Sequence, residues 1–505
     1  MGAMRFLLRT LVRCGSLGLC LFALNVSAQN ETDALRLSSI SPGGTARSIG
    51  LANAFGALGA DGVSIAINPA GMGLFRTSEI SLTPGFDVNN VRSNYYGTSA
   101  SNSMARFYLG NFTLALNSPN AKDNDWRSST FGLVYDRQAT HHWSRQATAS
   151  GIQTSILDDF AWQAEGKLPD ELYGSLPFTS ALAWETYGLD PYDPSDSLGR
   201  SYVPALPIGG LVDQTHTIES HGATSNTSFF YSGNYMDRFY FGVSLGIIGF
   251  RYNEVSTHAE AVPDDSTDLK DLSYRQELKI TGNGLDLKAG FIVRITDRFR
   301  TGLAIHGPMW TQLNDLYSTD MRTTFRTPSA TDGQTNYSSV SPENVFAYRL
   351  NSPWKVVASA AYIAGKHGLV SVDYEYIDHR NARFRPSNKL VDNYDFATEN
   401  LAINNSFRAV HAVRAGTEWR SGNWYFRMGW GMVPDAYKKD DPRHGSAERI
   451  YAGGLGFRNE HLGVDLGMNY TQRTTNYFQY DPALVDVTQE KRSTVRTLVT
   501  VSLRP

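Results

Sequence analysis

A chain of 505 residues with 41% apolar and 19% charged residues is long enough for several soluble domains or for one large closed sheet. Its 26 Tyr, 25 Phe, 9 Trp and 45 Gly suit strands and turns and argue against a helical bundle. A net charge of −3 argues against a general nucleic-acid binder, which needs a basic surface.

The N-terminus reads as an export leader. Arg5, Arg9 and Arg13 precede an apolar run from Cys14 to Leu24, and Val26-Ser27-Ala28 offers small residues at a cleavage point, so residues 1–28 are set aside as a signal peptide. Removing three arginines makes the mature chain more acidic. It also removes Cys14 and Cys20, the only two cysteines, so no disulfide, thiol nucleophile or cysteine-ligated metal is expected.

Residues 29–77 form a small-residue segment containing Ile49, Phe55, Leu58, Ile65 and Ile67, apolar side chains that need burial, and ending in the element Asn68-Pro69-Ala70. Strand alternation begins beyond it, with Ile80, Leu82, Phe86 and Val88 against polar neighbours. The pattern returns at 285–296, at 370–376, at 424–432, where Trp424, Phe426, Met428, Trp430 and Met432 alternate with Arg427, Gly429 and Gly431, and at 462–470. No later run of roughly 18 apolar residues offers a membrane-spanning helix.

About fourteen strands are expected in residues 78–505: 78–88, 104–117, 128–138, 225–236, 239–253, 273–296, 299–312, 351–364, 368–380, 406–420, 423–433, 447–459, 461–474 and 491–503. Tight links at Asp237-Arg238, Asp297-Arg298, Gly365–His367, Ser421-Gly422 and Asn459-Glu460 alternate with long ones, the rhythm of a transmembrane barrel with periplasmic turns and outer loops. The expected fold is therefore all-β: a transmembrane antiparallel β-barrel. A long extracellular insertion is expected at 139–224, with short helices in "LDDFAWQAEGKLP" and "TSALAWETYG". Fourteen strands enclose more space than side chains fill, so residues 29–77 are expected to enter the lumen as a hatch.

The stretch "SPGGTARSIGLANAFGALGADGVSIAINPAGMGLFRTSEISLTPGF" resembles the N-terminal hatch of the FadL/TodX family of outer-membrane transporters for hydrophobic compounds. The runs "TGNGLDLKAGFIVRITDRFRTGLAIHGP", "LNSPWKVVASAAYIAGKHGLVSVDYEYID" and "FRAVHAVRAGTEWRSGNWYFRMGWG" resemble it too. The resemblance implies a hatch-plugged barrel in the outer membrane of a Gram-negative bacterium. It implies passive diffusion of fatty acids or aromatic hydrocarbons, with lateral release through a strand kink. Two alternatives remain open: a secretion-system accessory that docks cargo proteins, and a general porin.

Under this reading Asn68, Pro69 and Ala70 fix the hatch where it joins the wall, and Gly132 is the candidate kink. Trp162, Phe178, Trp184 and Tyr187 are candidates for an outer hydrophobic groove or for the core of the cap. Asp373, Glu375, Arg408, Arg414, Glu418 and Arg427 share the inward phase as a lumen charge ladder. His141, His142, His216 and His221 lack the companions of a metal site, and Ser406 with His411 lacks an oxyanion donor, so neither an enzyme nor a cofactor is expected. The expected partners are hydrophobic small molecules and outer-membrane lipid.

Overall fold

The computed structural model describes residues 31–120, 125–192, 199–387 and 394–505. The leader expected at 1–28 lies outside the described residues. Within them fourteen antiparallel strands close a barrel. They are β1 (Glu79–Tyr95), β2 (Thr98–Pro119), β3 (Trp126–Thr140, resuming as Trp143–Ile152), β4 (Val212–Tyr235), β5 (Phe239–Ala261) and β6 (Leu269–Arg294). Then come β7 (Phe299–His306, resuming as Trp310–Phe325), β8 (Asn344–Asn351 and Lys355–Ala364) and β9 (Gly368–Asp378 and Arg383–Pro386). The last five are β10 (Ala409–Ser421), β11 (Trp424–Val433), β12 (Glu448–Arg458), β13 (Leu462–Tyr477) and β14 (Thr488–Leu503). Closure is direct: β14 pairs with β1 through Ile80↔Leu503, Leu82↔Val501 and Phe86↔Thr497.

The wall is inside-out relative to a soluble protein. On β11 the side chain of Met428 is 71% exposed, while its neighbour Arg427 is 3% exposed. The same inversion recurs around the circumference, with Phe131, Leu245, Leu287, Val372 and Leu466 outside and Asp136, Asp286, Asp373 and Asp465 inside. An apolar exterior over a charged, buried interior is the arrangement that a hydrocarbon solvent selects. None of the described helices is long and apolar enough to cross a membrane.

The short links after β4, β6, β8, β10 and β12 all lie at the barrel end where β1 begins and β14 finishes. At the opposite end many strands run well past the apolar belt. The first hairpin there turns at Tyr96-Gly97, where both residues adopt positive φ (44° and 79°). Between β3 and β4 the helices Ile156–Ala164, Pro169–Ser175 and Ser180–Glu185 build a cap. Its core joins Leu157, Phe160, Leu172 and Leu182 to Tyr95, Tyr274 and Met321 of the strand tops.

The strand limits differ from the sequence expectation wherever strands leave the belt. The segment expected as an insertion from 139 to 224 is strand at both ends, through Ile152 and again from Val212. "DQTHTIES" carries no apolar face because water lies outside it and a polar interior within. The strand expected to start at 406 starts at Ala409, because residues Ala397–Ser406 form a helix. Breaks in β7 and β8 coincide with Pro308 and Pro353, which cannot donate to a ladder.

Burial makes the cap pH-sensitive at Asp159. The Asp159 carboxyl, on the first cap helix, is pushed up to about 6 by desolvation, against the opposing hydrogen bond from Gln163. Its native pKa lies above the unfolded value of about 3.9, so the protonated form is favoured in the folded cap. The cap therefore loses stability as pH rises from about 4 through about 6, by roughly 2–3 kcal/mol in all. Asp159→Asn removes this loss. Hydrogen exchange over 156–185, corrected for intrinsic rate, is expected to be slower than wild type at pH 8 and equal to it near pH 4.

Candidate functional site

The site is the bore, and residues 31–77 fill it. The chain enters among the outer strand ends, where the helix Glu31–Ser38 buries Ala34 and Leu37 with Tyr348, Phe384, Ile403 and Phe407. It leaves at the opposite end, where Arg76 pairs with Asp237 of the β4–β5 turn at 2.6 Å.

Charged wall residues hold the hatch between these points. Arg47 makes a two-pronged contact with Glu418 of β10, Nε to Oε2 and Nη2 to Oε1, both 3.0 Å, and its Nη1 donates to the Gly59 carbonyl. Glu418 also accepts from Arg427 Nε at 2.6 Å, and Arg427 continues to Asp465 at 2.7 Å. Asp373 Oδ2 accepts the backbone N–H groups of Phe55 and Gly56 at 2.7 and 2.8 Å. Arg414 reaches Glu375 at 3.2 Å. Five of the six residues of the expected ladder are thus interior and engage the hatch or one another. Arg408 stands apart and donates to the Asp435 carbonyl.

Asn68 works in three directions. Its Oδ1 accepts from Ala70 N (3.1 Å), and its Nδ2 donates to the Gly56 carbonyl (2.8 Å) and to Phe291 O of β6 (3.2 Å). The Pro69 carbonyl accepts from Ser232 Oγ of β4 at 2.7 Å. Close approach here depends on glycine in the wall. A Cβ on Gly242 would stand 2.3 Å from Pro69 O, one on Gly429 2.4 Å from Ala52 N, and one on Gly467 2.0 Å from Ala46 O. Sequence reading missed these positions as a set. Their signal is glycine in the inward phase of an otherwise alternating strand.

A seam opens in the wall between β2 and β3. The two strands pair only from Pro119↔Ser128 to Asn111↔Asp136. Beyond that point β3 passes a register irregularity at Arg137/Ala139 while staying paired with β4. It then crosses the inner face of the wall: Thr140 Oγ1 donates to Asp87 of β1 at 3.0 Å, Asn89 Nδ2 donates to the His142 carbonyl at 2.8 Å, and Arg145 pairs with Glu490 of β14. The β2 segment 98–110 is left without a ladder partner on that side, with Phe107 and Leu109 exposed on the outer surface. Asp136 ties the seam to the hatch by accepting Gly43 N and Gly44 N, each at 3.1 Å, together with Asn111 Nδ2.

Gly132 lies below this point. Its φ is +155°, and a Cβ would meet Leu114 O at 1.9 Å, so only glycine fits. Pairing runs unbroken through it on both sides, and the irregularity comes later, at Arg137/Ala139. The four candidate groove aromatics do not surround one space. Phe178 meets Tyr317, Trp184 meets Tyr202, Tyr187 meets Tyr337, and Trp162 is exposed. His142 and His221 bring their Nδ1 atoms to 2.9 Å, and His141 bonds Thr224. His216 neighbours His258 and Tyr477, and among the described residues no group of three or more metal-ligating side chains forms. Ser406, at a helix end, receives Arg443, whereas His411 bonds Tyr374 at 2.6 Å, so the two take part in separate contacts.

Asp136 yields a direct expectation. In Asp136→Ala two hatch N–H groups lose their acceptor, at about 1–3 kcal/mol each. Hydrogen exchange over 41–46 should rise sharply while the barrel stays closed.

No family model and no curated protein matches the sequence. Solved structures match the fold. A FadL homologue from Pseudomonas aeruginosa is similar with a TM-score of 0.54 and 12% identity, over 92% of this chain and 98% of that one. A deltaS2 mutant of the TodX monoaromatic hydrocarbon channel gives 0.50 and 10% identity, over 92% and 99%. The chain has a FadL-like fold.

Proposed function

We propose that this barrel carries apolar small molecules, long-chain fatty acids or aromatic hydrocarbons, passively across a Gram-negative outer membrane and releases them sideways into the bilayer. In this reading residues 1–28 are the export leader, 29–77 the hatch and 78–505 the barrel with its extracellular cap. The observation that carries it is the seam: β2 loses its ladder partner above Asn111 at a height where Phe107 and Leu109 still face outward as part of the apolar belt. Unpaired backbone at membrane depth is tolerated only where it borders protein or a water-filled cavity. An apolar solute leaving there meets lipid and avoids the aqueous periplasm.

The likeness to a FadL homologue and to a monoaromatic hydrocarbon channel supports the same direction. The docked hatch weighs against a general porin, since the bore is crossed by buried ion pairs and backbone contacts. Between the hatch and the wall a cavity of about 40 Å³ is lined by Asp286, Lys288, His306 and Lys355, room for water and not for cargo. In this reading the hatch shifts to let cargo pass.

Native mass spectrometry of gently solubilised full-length protein tests the cargo class. A co-retained fatty acid or hydrocarbon, displaced by excess oleate, is expected. A protein that retains no apolar molecule and instead copurifies with secretion components would replace the proposal with the docking alternative.

A further inference from the structure

The outer surface carries a second feature, on the far side of the wall from the hatch contacts. Three neighbouring strands break at one height: β7 at 307–309, β8 at 352–354, and β9 at the short turn His379–Asn381. The ladder resumes above the breaks with Trp310↔Asn351, Gln312↔Arg349 and Arg349↔Arg385. Partners opposite one another across a ladder share a face, so Trp310, Gln312, Asn351, Arg349 and Arg385 stand together on the outside. They line an outward cleft of about 390 Å³.

The height of the cleft is set by its neighbours. Below it β6 presents Leu285, Leu287 and Phe291 outward, and β9 presents Val370, Val372 and Tyr374. Above Leu285 the outward positions of β6 turn polar, as Asn283, Thr281 and Lys279. Trp310, directly opposite Leu285, marks the boundary as interfacial tryptophans do. The two arginines therefore lie at headgroup level on the cap side.

Their pairing is unusual. Like charges directly opposite on a ladder repel. Arg349 Nε donates to the Pro386 carbonyl at 2.8 Å, which supplies no negative charge. Among the described residues neither Arg349 nor Arg385 has an acidic partner, although nearby Arg380 is paired with Asp378. Two arginines paired across a ladder and lining one cleft with a tryptophan, at the level of the outer-leaflet headgroups, offer guanidinium donors to an oxyanion with several acceptor oxygens.

We infer that the cleft bounded by Trp310, Gln312, Arg349, Asn351 and Arg385 binds the phosphate of a glycolipid headgroup in the outer leaflet, with Trp310 against its upper acyl or sugar portion. This rests on the membrane reading of the barrel and not on the cargo. Lipid retention and solute transport are read separately, so one can fail without the other.

The test uses full-length mature protein in phosphatidylcholine vesicles doped with bisphosphorylated lipid A or with its dephosphorylated form, and native mass spectrometry of protein extracted from each. Wild type should retain bisphosphorylated lipid A, and Arg349→Gln/Arg385→Gln should retain at least about tenfold less. Arg349→Lys/Arg385→Lys should fall between them, because point charges survive without the planar fork. Heat-modifiable gel migration shows that each variant is a closed barrel. Equal retention by wild type and the Gln variant, or equal retention of the dephosphorylated lipid, overturns the assignment. So does displacement of the lipid by an equimolar amount of inorganic phosphate, which assigns the cleft to a free anion.

Discussion

Replacing Glu418 by alanine is expected to release the hatch. The carboxylate neutralises Arg47 on the hatch and Arg427 on the wall, and all three side chains are buried. Removing one member of such a network leaves uncompensated buried charge, at about 3–5 kcal/mol. Arg427 keeps Asp465, so most of that loss falls on Arg47 and the short segment around it. Hydrogen exchange over residues 45–60 should accelerate by roughly a hundredfold or more, given about 1.4 kcal/mol per tenfold. Planar bilayers should then show ionic leak absent from wild type. Glu418→Gln keeps an acceptor for Arg47 and should give a smaller effect of the same sign. Unchanged exchange in the alanine variant would mean that the Glu418 ion pair does not hold the hatch.

The second large effect concerns hatch movement. The only cysteines, Cys14 and Cys20, lie in the proposed leader, so an engineered disulfide in the mature chain has no competitor. A Cβ built on Gly56 lies 3.0 Å from Ser359 Cβ of β8, slightly inside the usual spacing of about 3.5–4.5 Å for a disulfide. The Gly56→Cys/Ser359→Cys variant should form the bond with a small relaxation and pin the hatch to the wall. If cargo passes only when the hatch shifts, oxidation should reduce apolar flux to background and reduction should restore it. Flux indifferent to the redox state would place the route elsewhere.

What the sequence revealed follows from where water and lipid lie. Inside the belt one strand face meets hydrocarbon and the other a wet lumen, so Phe426, Met428 and Trp430 alternate visibly with Arg427 and Gly429. Above the belt the outward face meets water and the inward face mixes polar residues with small apolar ones such as Ala147 and Ala149, so the alternation fades and the continuations of β3 and β4 through Ile152 and from Val212 look like insertion in the sequence. The helix Ala397–Ser406 was hidden by a sequence with almost no amphipathic asymmetry.

At the site, the inward charges Asp373 and Glu418 were legible from phase, but their hatch partners were not. Phe55 N and Gly56 N are backbone donors common to every sequence, and Arg47 gives no sign of which acid it will meet. The sequence points to Gly132, a glycine inside a strand, as the candidate kink. The strand departs at Arg137/Ala139, with no glycine to mark it. The cause lies in tertiary contacts made by Thr140, His142 and Arg145 across the bore.

The most direct test of the account pairs two fluxes through the same reconstituted protein: transfer of labelled oleate or a monoaromatic hydrocarbon into the vesicle membrane, and steady conductance of small ions. The account predicts rapid apolar transfer with conductance near that of protein-free bilayers. Steady ohmic conductance without apolar transfer would contradict it.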